Sequence, residues 1–371
     1  MNQLFFELIR VAIGTQDSLS RLPSEKEWKK LYAMAHKQSL VGVCFAGLKR
    51  LGADADEGFA RIGMSKELYF DWMGNAFMIQ QKNHMMDGNT KEVLAHFRKK
   101  GFACQVLKGQ GIAKLYTLDG SAQSNSLAEL RQSGDVDVWV AGDRKKLYEH
   151  AIKKLGKLEG LTYHHIHYPM FADAEVEAHV WPSFLSSPLR NRRLQVFCKM
   201  YEPREGCEET PSLAFNRVFI LLHCYQHFTR RGVGMRQILD YYFVLKASLQ
   251  LSPEEKRECN DWIEKLGMGR FAEAMAWMMK EVFGLDECYL LYEPNEKYGR
   301  FLLDEVMETG NMGHADKRVN RKQLKSAGGR YLNNLKRDIR IMKICPHEAM
   351  WEPLWGIYQF VWCKLTQMKY K

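Results

Sequence analysis

The spacing of apolar residues predicts helices at both ends of the chain. Leu4, Leu8 and Ala12 recur at intervals of four near the start, which places them on one face of a helix. The same periodicity continues to residue 99, where Gly101 provides a stop signal, and it resumes after residue 182. Stripes of this kind are typical of a helical core, and they suggest no chemistry of their own.

A period of two replaces the helical spacing in the middle of the chain. Residues 102–107 form a short apolar run, and Val136, Val138 and Val140 alternate with other side chains. Residues 174–181 alternate in the same way. Because successive strand residues point to opposite faces, these three segments predict a small sheet.

The order of these segments predicts an α+β protein, with a small mixed sheet at its centre and helical regions on both sides. We expect an N-terminal helical region, a sheet-containing core, a helical region that completes a cleft, and a basic, aromatic C-terminal helical region. These four regions are expected at residues 1–95, 96–182, 183–290 and 291–371.

Two acidic residues at the second predicted strand are the strongest sign of chemistry. Asp135 and Asp137 are separated by one residue, so both carboxylates project to the same side. Two aligned carboxylates can bind one or two divalent cations through hard oxygen ligands. The preceding Arg131, Ser133 and Gly134 form a loop suited to an anionic ligand that approaches those cations. An edge strand with two solvated aspartates is the plainer alternative.

A glycine turn follows the first predicted strand. The run Lys108-Gly109-Gln110-Gly111 separates residues 102–107 from a stretch with helical spacing. Strand, glycine turn and helix in this order present backbone N–H groups to phosphate, although a plain tight turn explains the run equally well. The polar residues 118–130 predict a mobile surface loop before the acidic strand.

A third carboxylate is available on the last predicted strand. Glu175, Glu177 and His179 share one face of residues 174–181. A third acid beside the Asp pair would help to hold a metal and could accept a proton from an attacking hydroxyl. The polar outer face of an edge strand is the alternative, and spacing alone does not choose between the two glutamates.

Two groups of histidines resemble metal ligands only in part. His164, His165 and His167 match no common metal-site spacing, and we interpret them as solvated strand histidines. His223 and His227 lie one helical turn apart, which suits zinc, but no third ligand is evident.

A glycine turn near residue 232 opens another predicted helix. Its Arg236 and Asp240 are four residues apart, so we expect a structural ion pair between them. The alternative is that His223, His227, Arg236 and Asp240 line the far wall of a cleft.

Composition narrows the class of partner and the compartment. A net charge of +10 and a pI near 9.0 favour an anionic partner. Nine cysteines without a CxxC pair, and no secretory signal, are typical of reduced thiols in the cytoplasm. No apolar run is long enough to span a membrane, so we expect no membrane partner.

The C-terminal part is basic and then aromatic. Residues 317–343 predict either a solvated charged face or weak nucleic-acid binding. The aromatic residues of 346–364 could stack bases, but their helical spacing favours a place in the core. The basic residues concerned, which only Asp338 opposes, are Lys317, Arg318, Arg321, Lys322, Lys325, Arg330, Lys336, Arg337, Arg340 and Lys343.

Several of these motifs together resemble a known family. Leu107-Lys-Gly109, Arg131-x-x-Gly-Asp-Val-Asp-Val138 and Val176-Glu-Ala-His179 are similar to an uncharacterised bacterial nucleotidyltransferase family. That family belongs to the DNA-polymerase-β-like nucleotidyltransferase superfamily. The segments His223-x-x-x-His227 and 232–240 are similar as well, so the resemblance covers roughly residues 30–285.

The resemblance implies transfer of a nucleoside monophosphate from an NTP such as ATP to an acceptor hydroxyl, with release of pyrophosphate. It implies that Asp135, Asp137 and Glu177 bind two Mg²⁺ ions, and it selects Glu177 over Glu175. The implied nucleotide-binding residues are Lys108, Gly109, Gln110, Arg131, Ser133 and Gly134.

The sequence departs from the superfamily pattern at two points. Gly109-Gln110 replaces the usual Gly-Ser, and the gap from Gly109 to Asp135 is longer than usual. The acceptor is open between a protein, an RNA and a small molecule, and superfamily relatives include toxins of toxin–antitoxin pairs. The alternative is a catalytically degenerate protein that binds nucleotide or nucleic acid.

Overall fold

The N-terminal part of the chain is helical, as predicted. The computed structural model describes residues 1–54, 57–117, 126–319 and 325–370. Ser24 and Glu27 form a capping box before the second helix, since the Glu27 carboxylate accepts from the Ser24 backbone N–H at 2.9 Å. The helices are α1 (Asn2–Ile13), α2 (Glu25–Lys37), α3 (Val41–Arg50), α4 (Gly58–Arg61) and α5 (Lys66–Lys99).

The centre of the described chain is a four-stranded mixed sheet, which confirms the predicted α+β class. Its strands are β1 (Cys104–Val106), β2 (Val136–Val140), β3 (His165–His167) and β4 (Val176–His179). Their spatial order is β1-β2-β4-β3, and only the central pair, β2 and β4, is parallel. The short α6 (Gln110–Ala113) follows β1, and α7 (Arg144–Leu155) follows β2. Residues 118–125 of the predicted loop lie outside the described residues.

Helices return after the sheet. They are α8 (Pro188–Met200), α9 (Leu213–Arg230), α10 (Met235–Ala247), α11 (Pro253–Leu266), α12 (Gly269–Glu281), α13 (Glu296–Thr309), α14 (Ala327–Ile341) and α15 (Pro346–Lys369). None of the helices in the described ranges has the length and apolar character needed to cross a membrane.

The two faces of β2 belong to different cores, and this fixes where its acidic residue points. Val136, Val138 and Val140 are buried in a cluster that includes residues of α5 and α7. Trp139 faces the other way and stacks on Phe215 of α9 with ring centroids 5.3 Å apart. Since strand side chains alternate, Asp137 lies on the same side as Trp139.

The C-terminal helices differ from the prediction. Trp355 is buried, but Trp351, Tyr358 and Phe360 are exposed, so the expectation that these aromatics form core is wrong for the three exposed rings. Their helix packs on its neighbours along one side only. In the basic run, Arg318 pairs with Glu305 and Asp316 at 2.8 and 2.9 Å. Arg321 and Lys322 lie outside the described residues.

Candidate active site

A cleft of 1310 Å³ lies over the polar side of β2 and β4. Its floor carries Asp135, Asp137 and Glu177, and side chains from α9, α10, α14 and α15 form its other walls. The cleft is therefore bounded both by the sheet and by helices that come after it in the chain.

The parallel pairing of β2 and β4 brings two carboxylates side by side. Asp137 is directly opposite Glu177 in the register, and Asp137 is buried while the Glu177 side chain is 14% exposed. Ligand atoms of Asp137, Glu177 and His179 all lie within 4.8 Å of one another. Asp135, just before the strand, lines the cleft at a half-buried position. Glu177, rather than Glu175, is thus the glutamate beside Asp137.

Two cationic side chains hold these carboxylates. The Nζ of Lys108 lies 3.1 Å from Asp137 Oδ1, and His179 Nε2 lies 2.9 Å from the same oxygen. Burial alone disfavours the charge on His179, but hydrogen bonds to Asp137 and Glu177 outweigh it and raise its pKa to about 9. Burial likewise opposes the charge on Lys108, but the three carboxylates raise its pKa above the ordinary value. The floor of the cleft is therefore ionic even without a ligand.

The glycine turn is built for a close approach to the acidic strand. Gly109 adopts φ 57° and ψ −115°, a conformation that favours glycine. The Leu107 backbone N–H donates to the Asp137 carbonyl at 2.9 Å, which ties the turn to the acidic strand. Gln110 points away from the cleft, since its Nε2 donates to Asp87 Oδ1 at 2.6 Å.

Asp240 pairs with Arg131, so the predicted Arg236–Asp240 pair is wrong. The Nε and Nη2 of Arg131 donate to the two Asp240 oxygens at 2.6 and 2.8 Å. The Tyr116 hydroxyl also donates to Asp240, at 2.6 Å. Arg236 instead donates to the Gln132 carbonyl at 2.8 Å. Arg131 and Asp240 are 109 positions apart in the chain. Their buried ion pair holds the loop before Asp135 in place.

Arg131 of this loop lines the cleft, but its guanidinium is paired with Asp240. Gly134 lines the cleft, whereas the Ser133 hydroxyl is buried and has no hydrogen bond within the described chain. A Cβ on Gly134 would lie 3.9 Å from the Arg236 guanidinium. The Gly134 backbone therefore lies beside the Arg236 guanidinium of α10 in the lining of the cleft.

His165 of β3 is buried, contrary to the prediction of solvated histidines, whereas His164 and His167 are half-buried. His164, His165 and His167 all line the cleft, and His165 is only 8% exposed. His165 Nδ1 lies 3.2 Å from Glu177 Oε2, and His167 Nδ1 lies 3.0 Å from Glu175 Oε1. Burial and the neighbouring His179 lower the pKa of His165 to about 3, so its imidazole is neutral.

His223 and His227 lie on the opposite wall, as the alternative interpretation expects. Their rings meet edge to face with centroids 4.4 Å apart. Burial and the charge of Lys108 lower the pKa of His227 to about 3. Among the described residues, neither histidine belongs to a set of three metal-ligand side chains.

Three further cations line the cleft, and the two arginines among them were not singled out from the sequence. They are Lys82, Arg230 and Arg231. The Arg230 guanidinium lies 4.1 Å from the Phe184 ring centroid and 2.8 Å from Glu352 Oε2. Nothing in local spacing marks them, because they come from α5 and the end of α9. Acidic floor and basic walls together suit a metal-bound polyphosphate.

A mixed sheet with an Asp-x-Asp strand, a neighbouring Glu strand and a Lys-Gly turn is the core of a nucleotidyltransferase. The chain belongs to the uncharacterised nucleotidyltransferase family, whose sequence model matches residues 24–284. Comparison with curated proteins and with solved structures gave no match. Membership indicates transferase activity of the nucleotidyl class.

Proposed function

We propose that the protein transfers a nucleoside monophosphate from an NTP to an acceptor hydroxyl and releases pyrophosphate. The observation that carries this proposal is the convergence of Asp135, Asp137 and Glu177 on one floor beside the Lys108-Gly109 turn. Basic side chains on the facing walls supply charge that complements a triphosphate.

The acidic floor fits divalent cations. The donor atoms of Asp137 and Glu177 lie within 4.8 Å of each other, and Asp135 lines the same cleft. We propose that these three residues hold two Mg²⁺ ions through oxygen ligands, which this metal prefers. Bound there, the ions would neutralise phosphate charge and lower the pKa of the attacking hydroxyl.

The remaining roles follow from position. Lys108 and the backbone of Gly109 face the phosphates, and Arg236 approaches from the opposite wall. Glu177 accepts the proton of the acceptor hydroxyl. The Arg131–Asp240 pair positions the loop that carries Asp135. The acceptor is a protein, an RNA or a small molecule.

The test is nucleotide transfer in cell extract. Extract is incubated with the protein and each of four labelled NTPs, with and without EDTA, and labelled products are identified by mass spectrometry. We expect metal-dependent labelling that Asp135→Asn abolishes. Asp261→Asn, an equivalent change at an exposed position of α11, is the matched control and should label normally. Labelling that survives Asp135→Asn would refute the proposal.

One observation favours the alternative of nucleotide binding without catalysis. Gln110 replaces the usual serine of the turn and hydrogen-bonds to Asp87 instead of facing the cleft. A protein of this second kind would bind Mg²⁺–NTP in calorimetry and yet produce no pyrophosphate in any extract. The two functions are separated by measuring both quantities on one preparation.

A further inference from the structure

Imidazole and carboxylate groups meet at the edge of the sheet, next to the acidic floor. Ligand atoms of His165, His167 and Glu177 lie within 4.8 Å of one another. Individual separations are 3.2 Å from His165 Nδ1 to Glu177 Oε2 and 3.9 Å from His167 Nε2 to Glu177 Oε1. Two ligands of one zinc-like ion, each about 2.1 Å from it, are separated by at most about 4.2 Å. Both separations from Glu177 fall within that limit.

His165 provides a second and independent observation. Its side chain lies at a position only 8% exposed, and its Nδ1 is buried without a hydrogen bond in the described chain. Glu177 Oε2 is 3.2 Å away, but the pair does not have hydrogen-bond geometry. A buried polar atom left unsatisfied costs about 1–3 kcal/mol, so an unpaired imidazole nitrogen beside a carboxylate indicates a ligand that contacts both groups.

Glu175 contacts the second ring nitrogen of His167, on the side away from Glu177. Its Oε1 lies 3.0 Å from His167 Nδ1, while His167 Nε2 faces Glu177. A carboxylate on one imidazole nitrogen fixes the tautomer and orients the other nitrogen toward a metal. Glu175 therefore acts on His167 and not on the acidic pair, which explains why both glutamates occur on one strand face.

We propose that His165, His167 and Glu177 form a binding site for a transition-metal cation such as Zn²⁺. Imidazole ligands select such ions over Mg²⁺, which prefers oxygen. Glu177 is then shared between this site and the site at Asp135 and Asp137. The catalytic meaning of the site rests on the proposed function, but the site itself is defined by its ligands.

The test is metal affinity of metal-free protein, measured by competition with a chelating dye for Zn²⁺ and by the visible absorption of bound Co²⁺. We expect the double variant His165→Ala with His167→Ala to lose at least tenfold in Zn²⁺ affinity, and Glu175→Gln to lose less. Asp135→Asn and the exposed His347→Ala should bind Zn²⁺ like the wild type. Millimolar Mg²⁺ should not displace the Zn²⁺.

Unchanged Zn²⁺ affinity in the double variant would overturn the inference, as would ready displacement by Mg²⁺. If the double variant melts early, His167→Ala alone decides, because that side chain is 38% exposed and tolerates truncation. NTP turnover is measured in parallel. If Zn²⁺ binding depends on the two histidines but no NTP is turned over, the proposed function is refuted and the metal site is not. If NTP is turned over but Zn²⁺ binding does not depend on the histidines, the metal site is refuted and the proposed function is not.

A separate observation concerns the surface of α14 and α15, which pack against each other. Exposed apolar residues recur every three or four positions along both helices, which places them in stripes. Contiguous exposed apolar surface is uncommon on monomeric soluble proteins and marks binding surfaces. We call this surface the α14–α15 face, and its stripes are Leu332, Leu335 and Ile339 on α14, and Met350, Leu354, Ile357, Val361, Leu365 and Met368 on α15.

The charges of the same two helices are sorted by sign. Within residues 325–370 all the exposed charged side chains are Lys or Arg. The three acidic residues of this stretch, Asp338, Glu348 and Glu352, are buried or half-buried. Arg330 lines the cleft, and the exposed cations that do not line it are Lys325, Lys336, Lys343, Lys364 and Lys369. An exposed side that combines apolar stripes with positive charge complements an anionic lipid surface.

We propose that the α14–α15 face binds anionic membranes peripherally, with its helices lying in the interface. This departs from the expectation of no membrane partner. A second copy of the chain would bring like charges together, and RNA would leave the apolar stripes without a partner. Neither explains both features of the face.

Cosedimentation with phosphatidylcholine vesicles, with and without phosphatidylserine, tests the proposal. We expect binding only with phosphatidylserine, weakening as salt rises, and at least tenfold loss in Leu354→Glu with Val361→Glu. Phe77→Glu, at an exposed apolar position of α5, is the control and should bind normally. The proposal is overturned by absent vesicle binding, by tRNA binding that the same double variant abolishes, or by a dimer in light scattering that the variant dissociates.

Discussion

The two aspartates of the acidic floor differ at the level of single contacts. Asp137 is 2% exposed and lies within about 3 Å of both Lys108 and His179, whereas Asp135 is half-buried at the cleft surface. Removing one charge from a buried ionic cluster leaves its partners uncompensated. We therefore expect Asp137→Asn to lower the free energy of unfolding by about 3 kcal/mol and Asp135→Asn by less than about 0.5 kcal/mol.

Urea unfolding in the absence of divalent ions measures this difference. Asn at position 137 still accepts a hydrogen bond from His179, so the loss reports the charge and not the shape of the site. Equal free energies of unfolding in the two variants would show that the cluster is not held by the Asp137 charge.

The buried pair of Arg131 and Asp240 leads to a second expectation. Both side chains are at most 5% exposed and their contact is bidentate. Breaking such a pair on one side costs about 3–5 kcal/mol, so Asp240→Ala should lower the thermal midpoint strongly. Arg236→Ala, on the same helix but bonded to the Gln132 carbonyl, should cost much less. Comparable midpoints in thermal unfolding would contradict the structural role given to this pair.

At the scale of elements, strand alternation was sufficient to predict which side chains share a face in one half of the candidate site. It places Asp137, Glu177 and His179 on one side of the sheet because the period of a strand is fixed. Alternation does not reveal that the histidines of β3 line the cleft. Their position depends on β3 pairing with β4 at the edge of the sheet. Nor does spacing along α10 reveal that Asp240 pairs with a residue 109 positions away. Local pattern predicts faces, and only the tertiary arrangement selects partners.

Burial of Asp338 of α14 gives this carboxyl group a pKa near neutral pH. Burial and the charge of Glu352 raise the pKa of Asp338 to about 7, with Glu348 adding and Arg337 and Arg230 opposing. The ordinary pKa in the unfolded chain is about 3.9. Between these values the folded state holds the extra proton, so the free energy of unfolding falls as pH rises from about 4 to about 7 and then levels off. The fall amounts to at most about 4 kcal/mol.

Asp338→Asn should remove this pH dependence, because the amide carries no charge at any pH. Chemical denaturation at a series of pH values from acid to neutral measures the slope. Asp304→Asn, at an exposed position of α13, should keep the slope of the wild type. A slope that persists in Asp338→Asn would assign the titration to another group.

At the scale of the whole molecule, the helical regions before and after the sheet share one core. A single buried cluster contains residues of α1, α2 and α3 together with residues of α9 to α13. The Arg10 Nε donates to the Val282 carbonyl at 3.0 Å, and the Thr15 hydroxyl donates to the Phe283 carbonyl at 2.7 Å. Periodicity along the chain predicted both sets of helices. Their union in one core was not predictable, because contacts between residues more than 260 positions apart leave no local pattern.

This shared core implies that the first helices cannot unfold independently. Leu8 of α1 is fully buried, and its Cδ1 would lie 2.9 Å from a Cβ placed on Gly47 of α3, so α1 fits tightly. Leu8→Ala should cost about 2–5 kcal/mol. Native-state hydrogen exchange should show the most protected amides of α1 and of α9 losing the same amount, because one cooperative unit carries both. The exposed Leu22→Ala should change neither, and protection lost in α1 while α9 stays unchanged would show that the N-terminal helices form a separate unit.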